Sequence, residues 1–136
     1  MKLLLDHNLS PKLARSIAAL YAPEHEVAAL RDKFSPNVAD VEWITALDRE
    51  GGWAVLTQDL RIRTRPHERA AMDRARIVFF FLAGAWRKFT VEETAARLIR
   101  LVPKMAAQTE LTERGRFELP INAGSKLRPH RQYRPE

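Results

Sequence analysis

Apolar and polar positions along the chain alternate between two periods, and the switch between them marks out strands and helices. Leu3, Leu4 and Leu5 form an apolar run too short for a helix, as expected for a buried parallel strand. Asp6 and Asn8 follow at once, then Ser10 and Pro11. A serine that accepts from an otherwise orphaned N–H, followed by a proline that has none to lose, predicts a helix start. Leu13, Ile17, Ala18 and Leu20 then recur at helical spacing, so an amphipathic helix packed on the sheet is expected as far as Tyr21, closed by Pro23.

The same alternation continues downstream. His25 to Leu30 predicts a second strand and Arg31 to Asn37 a loop. Asp40 opens a helix through Arg49, with Val41, Ile44, Ala46 and Leu47 on its apolar side and Gly51-Gly52 as its stop. Trp53 to Leu56 is a third apolar strand, and it runs into Thr57-Gln58-Asp59. His67 to Arg76 predicts a short polar helix. Ile77 to Leu82 is the most apolar run and predicts a covered strand near the centre of the sheet, ending before Gly84. Thr90 with Glu93 forms a capping box, and Val91, Ala95, Leu98, Ile99 and Val102 extend a helical face to Pro103, which is expected to kink or stop it. Phe117 to Ile121 predicts an edge strand, and from about Asn122 a mobile basic tail is expected. These elements divide the chain into a domain over 1–112 and a basic extension over 113–136.

Strands alternating with helices argue for an α/β fold, with a mainly parallel sheet covered on both faces. In such a sheet the crevice beyond the carboxyl ends of the strands is where ligands bind. Asp6 and Asp59 follow strands and Asp40 begins a helix, so all three are expected on that side. Clustered carboxylates repel one another in a partly dehydrated site and stay ionised together when a cation offsets them. Oxygen-only ligands suit Mg²⁺ or Mn²⁺, and such a site fits phosphodiester hydrolysis by metal-activated water. Asn8 and Thr57 would position ligands or substrate. Each aspartate alone is more often a turn former or a cap, so the argument rests on their coincidence. Glu42 is a further acid near Asp40, although a glutamate on a helix surface is usually solvated.

Composition adds a direction. The 136 residues suffice for one domain with a real core, and 23 Lys+Arg against 17 Asp+Glu give a net charge of +6, which attracts polyanions. Arg61, Arg63 and Arg65, with Arg74 and Arg76, are either a solvated face or phosphate contacts beside Asp59. The chain has no cysteine, so thiolate metal sites, cysteine nucleophiles and disulfides are excluded. No segment has the apolar length to span a bilayer and no signal pattern opens the chain, so a soluble, cytoplasmic protein without a membrane partner is expected. His7 is read as a locally bonded turn residue, and Trp43, Trp53 and Trp86 as packing.

Three blocks carry a resemblance: Leu3-Leu4-Leu5-Asp6-His7-Asn8-Leu9-Ser10-Pro11, Ala39-Asp40-Val41-Glu42, and Val55-Leu56-Thr57-Gln58-Asp59. Together they resemble the PIN-like family related to VapC-type toxins of bacterial toxin–antitoxin systems. That resemblance implies a three-layer α/β/α fold, an endoribonuclease dependent on Mg²⁺ or Mn²⁺, and neutralisation by a cognate antitoxin. By position it makes Asp6, Asp40 and Asp59 the catalytic acids and metal ligands, accompanied by Asn8 and Thr57, with Glu42 and Arg61 as supporting candidates. Two departures stand out. His7 and Arg61 occupy positions where many relatives carry acids, and Arg61 places a cation where a second-metal ligand would be.

The leading expectation is therefore a toxin that cuts RNA. A non-catalytic PIN-like module that binds RNA or a protein is the alternative. A small phosphatase using the same aspartates is a third reading, which the lack of a glycine-rich phosphate loop disfavours. Oligomeric state is open, a homodimer being one arrangement.

Overall fold

A computed structural model describes residues 1–58 and 65–129. Its strands are β1 (Lys2–Leu5), β2 (Glu26–Ala29), β3 (Trp53–Thr57), β4 (Val78–Phe81), β5 (Gly115–Glu118) and β6 (Arg128–Pro129). Its α-helices are α1 (Pro11–Tyr21), α2 (Leu30–Lys33), α3 (Asp40–Glu50), α4 (Pro66–Arg74) and α5 (Val91–Leu111), with a 3₁₀ turn over Gly84–Lys88. The sheet order is β2-β1-β3-β4-β5-β6, parallel throughout except for the antiparallel β5–β6 pair.

Side-chain alternation along the strands divides the core into two layers. Leu3, Leu5, Leu56 and Phe80 pack on one face against Leu13 and Ile17 of α1 and Leu98 and Val102 of α5. Leu4, Val55, Phe79 and Phe81 pack on the other against Trp43, Ile44 and Leu47 of α3 and Met72 of α4. This is the expected α/β/α arrangement. With both faces of β1, β3 and β4 covered, these strands are continuous apolar runs rather than alternating ones. The carboxyl ends of β1 and β3 therefore sit side by side in the middle of a rigid sheet.

Local signals set the boundaries. The Ser10 side chain accepts from the Lys12 N–H at 3.3 Å, and Pro11 is the first helical residue of α1. Gly51 and Gly52 turn the chain after α3 at φ +79° and +76°, values that favour glycine. Both bonds of the Thr90–Glu93 capping box are made.

Five expectations are corrected. The predicted loop after β2 begins with the helical turn α2, and Leu20, in the last turn of α1, faces solvent while Tyr21 packs on the core. Pro103 does not stop α5, which runs on to Leu111. A helical proline leaves the carbonyl four residues earlier without its donor. Here that carbonyl belongs to Ile99, and the Tyr21 hydroxyl donates to it at 2.6 Å. β5 is not the edge strand, since β6 pairs outside it, and the chain from Asn122 to Pro129 is docked rather than mobile. Ile121, Ala123 and Leu127 pack on the core, and Lys104 donates to the Ser125 carbonyl at 2.7 Å. His130, Arg131, Tyr133 and Arg134 lie outside the described residues.

Candidate active site

β1 and β3 are paired with Leu5 opposite Leu56, so the residues one step further on, Asp6 and Thr57, face each other at the top of the sheet. The Asp6 N–H donates to the Leu56 carbonyl at 3.0 Å, carrying the ladder one residue beyond β1. The Asp6 carbonyl then accepts from the Leu9 N–H at 3.0 Å, which closes the turn into α1. Backbone bonding on both sides thus fixes where Asp6 stands.

Its side chain is fixed as well. Thr57 Oγ1 donates to Asp6 Oδ2 at 2.8 Å, the His7 N–H donates to Oδ1 at 2.7 Å, and His7 Nδ1 lies 2.8 Å from that same oxygen. Asp6 is only 1% exposed. Burial pushes its carboxyl above the ordinary aspartate range, opposed by the Thr57 and His7 hydrogen bonds and the charge of His7. The negative charge of Asp40 pushes it higher still. A carboxylate offers about four lone-pair positions, so these three contacts leave acceptor capacity for a further partner.

Asp40 is the first residue of α3 and is held by two neighbours. Trp43 Nε1 donates to Asp40 Oδ1 at 2.9 Å, and Arg65 Nη1 lies 3.8 Å from Oδ2. Trp43 is wholly buried, so its indole is a rigid anchor one helical turn on. That positioning role was readable only as packing from the sequence, although the i, i+3 spacing carried the signal. The sequence offers Arg65 as a solvated or phosphate-binding residue and does not single out Arg31, and neither reading gives their contacts at this site. Arg65 bridges Asp40 and Glu68, and Arg31 donates to the His7 carbonyl at 2.9 Å, bracing the turn after Asp6.

Of the candidates named from sequence, Asp6 and Thr57 are bonded to each other, and Asp40 acts on Asp6 through its charge. Asn8 stands beside them, its Oδ1 accepting from the Gln58 N–H at 3.4 Å. Glu42 is exposed on the first turn of α3. Arg74 and Arg76 are at the other end of the sheet, where α4 hands over to β4, and Arg76 pairs with Asp48 there. They are therefore not phosphate contacts of this site. Asp59 and Arg61 lie outside the described residues.

The donor set fits a hard divalent cation. No group of three His, Cys, Asp or Glu gathers among the described residues. Yet Mg²⁺-type ions keep several waters and take one or two protein carboxylates with substrate phosphate oxygens. Two mutually repelling carboxylates, one of them buried with acceptor capacity to spare, match that demand.

The family model for the PIN like domain matches residues 1–84, a stretch that holds Asp6, Asn8, Asp40, Glu42 and Thr57 as well as positions 59 and 61. No curated protein and no solved structure matches the chain.

Proposed function

Since this chain belongs to the PIN-like domain family, whose fold is of nuclease type, we propose that it is a metal-dependent endoribonuclease acting as the toxin of a toxin–antitoxin pair. The observation that carries this reading is the buried Asp6 carboxylate at the carboxyl end of β1, held by Thr57 and His7, with Asp40 at the start of α3 acting on it by its charge. In the proposal Asp6 and Asp40 hold the ion, joined by Asp59, and the ion is Mg²⁺ or Mn²⁺. When bound, it activates water and offsets charge on the phosphate. Thr57 and His7 keep the Asp6 carboxylate in one orientation, and Trp43 does the same for Asp40. This preorganisation spares the site reordering when substrate arrives.

RNA as substrate and a cognate antitoxin as partner belong to the same proposal, supported by the net charge of +6. No described helix is long and apolar enough to cross a membrane. The test is cleavage of varied RNAs by antitoxin-free protein with Mn²⁺, run beside Asp6→Asn and an EDTA control. Cutting by the wild type alone, and only with metal, is expected. Equal silence of both proteins with retained RNA affinity would replace this reading with that of a binding module.

A further inference from the structure

The acids stand at the carboxyl end of the sheet, and a separate cavity of about 380 Å³ lies at the opposite end. It opens between the Gly51-Gly52 turn, the amino ends of β3 and β4 and the last turn of α5, and Arg49, Trp53, Arg76, Thr109 and Glu113 are among its walls. Trp53 is buried, and its Nε1 is the one buried side-chain nitrogen or oxygen among the described residues with no hydrogen-bond partner. A buried donor left unpaired keeps the cost of its lost hydration. The other two indoles are satisfied. Trp43 Nε1 donates to Asp40 Oδ1 and Trp86 Nε1 to the Leu119 carbonyl, each at 2.9 Å.

The charge around Trp53 selects the acceptor it lacks. Lys33 Nζ and Lys2 Nζ lie 5.0 and 5.3 Å from its ring centroid, so the indole sits in a positive field that favours an anionic oxygen over a neutral one. Lys33 is offset by Glu50 at 3.1 Å and Arg76 by Asp48 at 3.6 Å. Lys2 and Arg49 have no ion pair among the described residues. Lys2 also reaches the cavity wall, since a Cβ at Gly52 would lie 3.7 Å from its Nζ. A guanidinium fork and an ammonium are the donors that hold a phosphate. The volume falls within the roughly 300–1,000 Å³ of small-ligand sites, which is more than a bare ion needs. Glu113 and the Thr109 hydroxyl, which already donates to the Ala106 carbonyl, leave acceptors for N–H groups on the rest of such a ligand.

We propose that this cavity is a second ligand site that takes a phosphate group, free or carried by a mononucleotide, on Arg49 and Lys2, with a ligand oxygen accepting from Trp53 Nε1. The site is independent of the acids and stands whether or not they cut RNA.

The experiment is an NMR titration of the isotope-labelled, metal-free protein with AMP, inorganic phosphate and adenosine, following the three indole N–H signals. Each signal reports one place: Trp43 the acids, Trp86 the Gly84–Lys88 turn and Trp53 the cavity. Trp53→Phe identifies the third by its loss. AMP is expected to move the Trp53 proton downfield, as for a donor that gains an acceptor, while the other two hold. Arg49→Ala should weaken AMP binding roughly 5- to 10-fold, while Asp6→Asn and Arg100→Ala, which removes an exposed charge from α5, stay near wild type. AMP tighter than inorganic phosphate supports a nucleotide as the occupant, and equal affinities support free phosphate. The proposal is overturned if neither shifts the Trp53 signal, if adenosine shifts it as tightly as AMP, or if AMP moves Trp43 or Trp86 instead. It is equally overturned if Arg100→Ala weakens binding as much as Arg49→Ala.

Discussion

Thr57 Oγ1 reaches Asp6 Oδ2 at 2.8 Å across the junction of β3 and β1, so the two parallel strands that centre the sheet also lock the buried acid. The contact spans 51 residues of sequence and depends on one register, Leu5 against Leu56. A slip by one residue would turn Thr57 to the other face of the sheet. Register and acid geometry are therefore one property.

Thr57→Val tests that link. It keeps the shape and removes the donor, leaving a buried carboxylate with one fewer bond. A stability loss of about 1–3 kcal/mol is expected in urea unfolding, with weaker Mn²⁺ binding by calorimetry, and Thr57→Ser should restore both. A Val variant as stable as the wild type would mean that the hydroxyl contributes nothing to holding Asp6.

Asp6 itself gives a pH prediction. Its raised proton affinity means that the folded protein binds a proton there more readily than the unfolded chain does. The ionised carboxylate therefore costs stability at neutral pH, and the cost fades as pH falls through the folded-state value toward the ordinary aspartate range. Metal-free Asp6→Asn should melt above the wild type at neutral pH, and the gap should narrow on acidification. Mn²⁺ should raise the melting temperature of the wild type and leave Asp6→Asn unmoved. A variant that melts lower at neutral pH would show that the Thr57 and His7 bonds outweigh the burial.

The features that set this site differ in how visibly the sequence encodes them. Leu3 to Leu5 running into Asp6, with Ser10-Pro11 behind, is a local signal, because capping and strand burial are decided within a few residues. The Asp6–Thr57 pairing follows from strand neighbours that topology decides, and only the repeated pattern of strand then acid hinted at it. Trp43 on Asp40 was concealed because a buried indole satisfies a packing reading equally well. The docking of Asn122 to Pro129 was hidden for a related reason, since a basic composition suggested solvent while Ile121, Ala123 and Leu127 supplied the apolar anchors. The expected roles of Asp59 and Arg61 fall outside the described residues.

Arg65 competes with any cation for Asp40. Its guanidinium lies 3.8 Å from Oδ2 and is nearly half exposed, so the pair is screened and weak. Arg65→Gln should therefore tighten Mn²⁺ binding by roughly 2- to 5-fold, the equivalent of about 0.4–1 kcal/mol for a surface ion pair. Titration calorimetry at fixed ionic strength measures it, and a weaker affinity in the variant would instead assign Arg65 to holding Asp40 in place.

The Tyr21–Ile99 bond accounts for Pro103 inside α5 and can be tested by a double-mutant cycle. Tyr21→Phe leaves the Ile99 carbonyl without both its side-chain donor and the N–H that Pro103 lacks. A loss of about 1–2 kcal/mol is expected by urea unfolding, as for a partly buried acceptor deprived of its partner. Pro103→Ala returns an N–H to the same carbonyl, and Tyr21→Phe made in that background should cost about 0.5–1 kcal/mol less. Equal costs in the two backgrounds would separate the tyrosine from the proline, and the helix would then owe its continuity to Leu101, Val102 and Met105, which bury its middle turns against the sheet.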